Sequence, residues 1–335
     1  MTDTTVPDIS AVRTEPTTVK DTVAYRTFSV ANVVALLIVC AVTLYPFVNL
    51  VAKAFSSEGF IAAGEVNLLP RGFNLETFKV VMDDAMFWIN YKNTVVYTVV
   101  GTVVAMALTT PYAYALSRQH LKGRSFFIGV AVFTMFFSGG LIPNYILVSD
   151  VLNMRNSMWA IVLPGAISVF NLLVMKSFFE NFPTELEEAA SIDGLTTYGV
   201  FGRIVLPLSK AVLATMTLFY AVSMWNSWFS AFLYLDKKEL FPVTVYLRNL
   251  IASASNPAAG MAGADTVQIG ANIQSVTMLL TVLPIICFYP FIQRYFVSGV
   301  MLGSVKADAT GPTGDPSSPH SLIRRATTLV TRGEI

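Results

Sequence analysis

The chain has 335 residues, 54% of them hydrophobic and 13% charged, with a formal net charge of +1. A soluble domain carries about 25% charged residues, so this chain lacks the charge to cover a water-facing surface and is expected in a bilayer. A charge this close to zero gathers no polyanion, and no Lys/Arg cluster stands beside aromatics, which speaks against nucleic acid as a partner.

Residues 1–27 are polar, rich in Thr and mixed in sign, with Asp3, Asp8, Arg13, Glu15, Lys20 and Asp21. The segment is too long and too mixed for the basic start of a secretory leader, and is expected to be a cytoplasmic N-terminal tail. Six apolar stretches follow, at about 28–52, 94–116, 126–148, 158–175, 211–235 and 276–292. Each is near the roughly 17–25 residues a membrane helix needs. The expected fold is therefore all-α, a polytopic membrane protein with six transmembrane helices. Residues 28–306 form its membrane domain and 307–335, rich in Gly, Pro, Ser and Thr, a disordered cytoplasmic C-terminal tail.

With the N-terminus inside, 14 of the 22 Lys and Arg fall on the inner side and 8 on the outer side. The short loop holding Arg118, Lys122 and Arg124 lacks acid and weighs most in that orientation, which also puts the C-terminus inside. The segments at 53–92 and 236–274 then lie outside, and 176–210 inside.

The six apolar cores contain no Asp, Glu, Lys, Arg or His. Proton- and ion-coupled carriers usually hold ionisable groups in the membrane, so the energy for any transport is expected from elsewhere, and the cargo is expected to be weakly charged. Pro46, Pro111, Pro143, Pro164, Pro284 and Pro290 recur in or beside these stretches. They would kink helices as a moving pore requires, but proline is also ordinary in membrane helices. Cys40 and Cys287 read as small buried hydrophobes, and His120 and His320 lack ligand-spaced neighbours, so no metal or cofactor is expected. The absence of a G-x-x-x-x-G-K-[ST] loop excludes nucleotide binding of the P-loop kind, and no catalytic constellation stands out.

The inner segment, about 177–210, reads Phe182-Pro-Thr-Glu-Leu-Glu-Glu-Ala-Ala-Ser-Ile-Asp-Gly-Leu, and later Arg203-Ile-Val-Leu-Pro207. Thr184 is a candidate N-cap, and Glu185, Glu187 and Glu188 suit the positive end of a helix dipole. Gly194 suits a left-handed helix stop. A second helix, about 196–204, would end before Pro207. The result is a cytoplasmic helix-turn-helix with an acidic side and a side carrying Leu186, Ala189, Ala190 and Ile192. Small residues and an acidic edge suit a helix that lies in a groove of another subunit.

Glu188-Ala-Ala, three residues, Gly194, nine residues and then Ile204-x-Leu206-Pro207 resembles the cytoplasmic "EAA" motif of binding-protein-dependent ABC importer permeases, and Asp193 also fits. Asn93-Thr94 is similar to the usual opening of the permease core. Trp225-Asn-Ser-Trp-Phe229, Pro284, Tyr289-Pro290 and Arg294 through Lys306 resemble the oligosaccharide-importing, carbohydrate-uptake branch.

The resemblance implies a second, often non-identical permease subunit and two cytoplasmic ATPase subunits. It also implies an extracytoplasmic solute-binding protein that delivers a carbohydrate. The chain would be no enzyme but the translocation path, multi-pass in the plasma (cell inner) membrane of a prokaryote, among membrane lipid. Glu188, Ala189, Ala190, Asp193 and Gly194 would receive the ATPase motion, and Ile204, Leu206 and Pro207 would brace the hairpin against the membrane helices. Gly299 and Gly303 resemble a C-terminal segment that approaches the ATPases.

Trp225, Asn226, Trp228, Asn171, Asn144 and Tyr145 are candidates for the substrate path, because sugars present apolar faces and hydroxyls. Trp228 and Tyr145 equally suit the interfacial aromatic belt. The competing readings are an ion-coupled carrier of a neutral solute, an intramembrane enzyme and an ABC permease for a non-sugar substrate.

Overall fold

Helix α4 (Ala85–Ser117) turns polar residues inward and apolar residues outward. Its buried side runs through Asn90, Thr94, Tyr97, Gly101, Ala105, Thr109 and Ala113, while Val95, Val99, Val103 and Leu108 are exposed. Spacings of three and four residues put the buried set on one face and Val95, Val99 and Val103 on another. The arrangement suits hydrocarbon, where an outward apolar side chain costs nothing and a polar group needs a protein partner.

The computed structural model describes residues 23–255 and 272–287. The expectations for residues 1–22 and 307–335, and for Pro290, Gly299 and Gly303, fall outside the described residues. These are helical, with one isolated antiparallel bridge, Ser56 to Phe73. The chain divides into two units, residues 1–74 and 75–335.

The first unit holds α1 (Val23–Ala54) and the short α2 (Glu58–Ala62). At 32 residues, α1 is longer than a bilayer core requires, and its apolar side chains are exposed for most of its length. The segment after α1 folds back on its end. Ser56 Oγ donates to the Ala52 carbonyl at 2.6 Å and accepts from the Arg71 amide at 3.0 Å, and Phe55 stacks on Phe73.

In the second unit, α3 (Glu76–Asp83) leads into α4, whose N-cap Asp84 accepts from the Met86 amide at 2.8 Å. Helix α4 starts nine residues before the expected stretch at 94–116. Asn90, Lys92 and Asn93 lower the hydropathy there, but tertiary partners satisfy both asparagines, as described below.

The third, fourth and fifth stretches are broken rather than continuous. The third is α5 (Arg124–Phe136) followed at 111° by α6 (Leu141–Ile146) and a wide π turn (Leu147–Val151). The fourth is α7 (Trp159–Val162) and α8 (Val169–Glu180), with Pro164 in the break. The fifth is α12 (Lys210–Trp225), a short gap and α13 (Phe229–Tyr234). After α14 (Val243–Ser255), the sixth is α15 (Asn272–Cys287), which begins before 276. Among the described residues two helices, Tyr25–Ala54 and Ala85–Ser117, are long and apolar enough to cross a membrane alone. Pro46 and Pro111 lie within them without breaking either.

A core cluster joins α4, α5, α8 and α12 through Ala113, Tyr114, Leu116, Ala131, Leu172, Met175, Phe179, Val212 and Met216. Gly101 lets α12 come close to α4, since a Cβ there would stand 2.8 Å from Met224 Sδ. Contrary to expectation, Cys40 and Cys287 are exposed. An apolar side chain on a membrane helix escapes water by facing lipid and needs no protein around it.

Candidate functional site

The segment after α8 folds as a helical hairpin. Helix α9 (Thr184–Ile192) follows Pro183, which takes the capping position expected for Thr184 and provides no side-chain cap. Asp193 closes the helix and Gly194 takes φ +82°, the left-handed conformation expected of it. Helix α10 (Thr197–Val200) begins at Thr196, whose Oγ1 accepts from the Gly199 amide at 3.3 Å.

The expected stop before Pro207 is not there. The chain continues through a π turn (Phe201–Val205) into α11 (Leu206–Leu208), which contains Pro207. The backbone then bends by 82° at Ser209 and enters α12. Ile204 packs on the core cluster, whereas Leu208 is exposed.

The apolar side of α9 is expected to meet another subunit, and within this chain most of it is open. Ala190 is the one buried residue of α9, 4% exposed, and packs into the core cluster of the chain itself. Glu188 and Ala189 are exposed, as are Leu186 and Ile192. Ile192 is 87% exposed, and Tyr198 on α10 is 89% exposed.

The acidic side is partly occupied from within the chain. Arg118, at the C-cap of α4, donates to Glu187 Oε2 at 2.6 Å and to the Phe179 carbonyl at 2.9 Å, and it lies 4.5 Å from the Tyr114 ring. Beside it, Arg124 pairs with Glu180, which also accepts from Lys176 at 2.7 Å.

The candidate path residues do not form one cluster. Trp225 meets Tyr91 edge-on at 5.9 Å and donates its indole N–H to the Thr281 carbonyl at 3.2 Å. Both rings line a cavity of about 440 Å³ with Val95, Thr98, Val99, Leu218, Val222 and Pro284. Its walls are apolar apart from Thr98, whose Oγ1 is shielded and without a hydrogen-bond partner.

Asn226 caps α12, is exposed and donates back to the Val222 carbonyl at 2.8 Å. Trp228 is covered by the Arg248 guanidinium at 5.1 Å. Tyr145 stacks on Tyr234 at 5.9 Å, Asn144 is exposed on α6, and Asn171 is buried in the first turn of α8. Sequence reasoning missed Tyr91 and Thr98, although the spacing 91, 95, 98 places them on one helical face. It also missed the Arg118 to Glu187 pair, for which a basic loop and an acidic helix were the available signals.

A second polar cluster anchors the segment after α13. Asn93 Nδ2 donates to the carbonyls of Glu239 at 2.7 Å and Phe241 at 3.2 Å. Tyr97 Oη donates to the Leu240 carbonyl at 2.8 Å, and Thr94 Oγ1 accepts from the Val243 amide at 2.7 Å. The Asn90 amide, turned with its nitrogen to this segment, donates to Lys238 at 2.9 Å and Phe241 at 3.0 Å. Positions 90, 93, 94 and 97 are one helix face, so α4 carries a ladder that holds 238–243. This gives Asn93-Thr94 a structural role that the sequence did not reveal.

No protein-family model matches the chain. Curated relatives do. The chain is 39% identical over 290 residues to Protein LplC of Bacillus subtilis, covering 86% of this chain and 98% of that protein. It is 38% identical over 278 residues to the polygalacturonan/rhamnogalacturonan transport system permease protein YtcP of the same organism, covering 81% and 95%. Identity to the arabinooligosaccharides transport system permease protein AraQ of Halalkalibacterium halodurans is 26% over 274 residues, covering 79% and 92%. The fold matches a crystal structure of a bacterial ABC transporter involved in the import of the acidic polysaccharide alginate. There the TM-score is 0.74 at 32% identity, covering 82% of this chain and 98% of that one.

Fold and relatives together define a membrane protein of a prokaryote, built as the permease of an ABC importer. The chain belongs to the carbohydrate ABC-transporter permeases. Subunits of this kind are not themselves enzymes.

Proposed function

We propose that the chain spans the membrane six times with both termini inside, and that its α9–α10 hairpin is the docking point for an ATPase subunit. One observation carries this reading: the hairpin exposes Ile192 and Tyr198 almost completely beside exposed Glu188 and Ala189, while only Ala190 anchors α9 in the core. A large aromatic and a β-branched side chain in water favour burial in a partner's groove, where such anchors dominate binding. The left-handed Gly194 turn joins the two helices that carry them.

On this reading two ATPase subunits hydrolyse the nucleotide, and a second permease subunit completes the pore. An extracytoplasmic solute-binding protein delivers an oligosaccharide, in keeping with the substrates named for YtcP, AraQ and the alginate transporter. Residues 28–306 form the permease domain, with 1–27 and 307–335 as inner tails and about 177–210 as the coupling loop. Tyr91 and Trp225 make the described cavity a section of the solute path, since aromatic and apolar walls suit the apolar faces of a sugar.

The test replaces Ile192 with Asp in the whole transporter. The ATPase subunits should no longer co-purify, and uptake should be lost for whichever of oligogalacturonides, alginate oligosaccharides and arabino-oligosaccharides the wild type imports. Undiminished co-purification refutes the docking face. Labelling of Ile192→Cys from outside intact cells, in a background without Cys40 and Cys287, refutes the orientation.

A further inference from the structure

From the geometry around Arg118 we infer that the Arg118 to Glu187 ion pair is the tie that moves the inner end of α4 with α9. The inference rests on the reading of α9 as the ATPase-facing helix and adds the route by which its motion enters the membrane domain.

Arg118 is where α4 ends: its backbone leaves the helix at φ −81°, ψ 126°. Its guanidinium reaches three elements. It donates to Ser117 Oγ at 3.0 Å and faces the Tyr114 ring on α4, donates to the Phe179 carbonyl on α8, and pairs with Glu187 on α9. Both charged side chains are largely shielded, at 22% and 16% exposure. Shielding strengthens such a pair relative to one in open water, and removal of one partner leaves a charge uncompensated.

The packing of Ala190 differs in kind, because dispersion is weak per contact and has no preferred direction, so the methyl group can slide. A charge-assisted hydrogen bond is directional and holds under tension. Helix α8 needs no help from Arg118 to keep its place, because Glu180 at its end pairs with Arg124 of α5 and its Leu172, Met175 and Phe179 are buried in the core cluster. The Phe179 carbonyl is therefore the fixed side of the joint and Glu187 the moving side. When α9 shifts, the guanidinium follows and carries the last turn of α4 with it.

Hydrogen–deuterium exchange of the complete transporter in lipid nanodiscs, with and without a non-hydrolysable ATP analogue, tests this. In the wild type, exchange should change in both 184–195 and 112–121. In Glu187→Gln, which keeps the shape and removes the charge, the change in 184–195 should persist. That in 112–121 should fall at least about threefold. Arg118→Lys keeps the charge but loses the planar fork, and should give an intermediate response. A full response of 112–121 in Glu187→Gln overturns the inference, as does a wild type in which 184–195 responds and 112–121 does not. A wild type in which 184–195 is indifferent to nucleotide instead refutes the docking reading on which the inference rests.

Discussion

The Tyr220 hydroxyl lies 2.7 Å from Thr109 Oγ1 and accepts from the Ser168 amide at 3.1 Å, so one buried phenol joins α12, α4 and the start of α8. Three helices meet there without an ionised group, which suits an uncharged membrane domain. Tyr220→Phe keeps the ring and strands the Ser168 N–H. The expected cost is about 1–3 kcal/mol, the penalty for an unsatisfied buried donor. Thermal unfolding in nanodiscs should show a lowered midpoint, and Thr109→Val should cost less, because Ser168 keeps its acceptor.

Gly101 and Met224 set the distance between α4 and α12. Gly101→Val places two methyl groups where a Cβ alone would already stand 2.8 Å from Met224 Sδ. Overpacking of this sort costs about 1–3 kcal/mol. Gly101→Ala should cost less, because methionine bends out of the way. Met224→Ala combined with Gly101→Val should recover part of the loss, measured by unfolding of the single and double variants. An additive double variant would refute the contact.

The α4 ladder makes a local prediction. Asn93→Leu removes both donors to the Glu239 and Phe241 carbonyls. The segment 238–243 should then open more often, and its amides exchange about tenfold faster, equivalent to about 1.4 kcal/mol. Exchange in α8, which takes no part in the ladder, should be unaffected. Unchanged exchange at the Val243 amide would show that the ladder does not hold the segment.

A pH dependence follows from the pair beyond α13. A hydrogen bond from the Arg155 side chain holds the Asp236 carboxyl below its ordinary range; desolvation opposes this, and a hydrogen bond from Asn156 adds to it. Asn156 takes φ 57°, a left-handed conformation that asparagine tolerates. Its Oδ1 accepts from the Asp236 amide at 2.7 Å. A carboxyl with a depressed folded pKa adds stability above its unfolded value, about 3.9, and loses it as pH falls through the lower folded value. The destabilisation of Asp236→Asn should thus be constant above about pH 5 and shrink below about pH 4. A difference that grew on acidification would contradict the sign.

Much of the site was legible because its signals are local. Gly194 turns left-handed where a helix must stop, and Asp193 closes that helix, both consequences of the chain within a few residues. The burial of Ala190 within this chain was not legible, since the sequence grouped it with Ile192 on a side meant for another subunit and its neighbours come from distant helices. Nor was the engagement of Glu187, because Arg118 lies 69 residues away in sequence. The polar start of α4 was missed for a related reason: hydropathy counts Asn90 and Asn93 as penalties, and the carbonyls that satisfy them come from 238–241.

By itself the sequence determined the solvent and the class. Low charge, uncharged apolar stretches and the spaced Glu-Ala-Ala and Gly motif require only composition and local order, because hydrocarbon rejects ions and a turn needs its glycine. The tertiary structure alone decided where the helices break, which faces stay open and which distant charges pair. Those outcomes depend on partners brought together by packing, and a polar group in a membrane domain is acceptable only once its partner is in place.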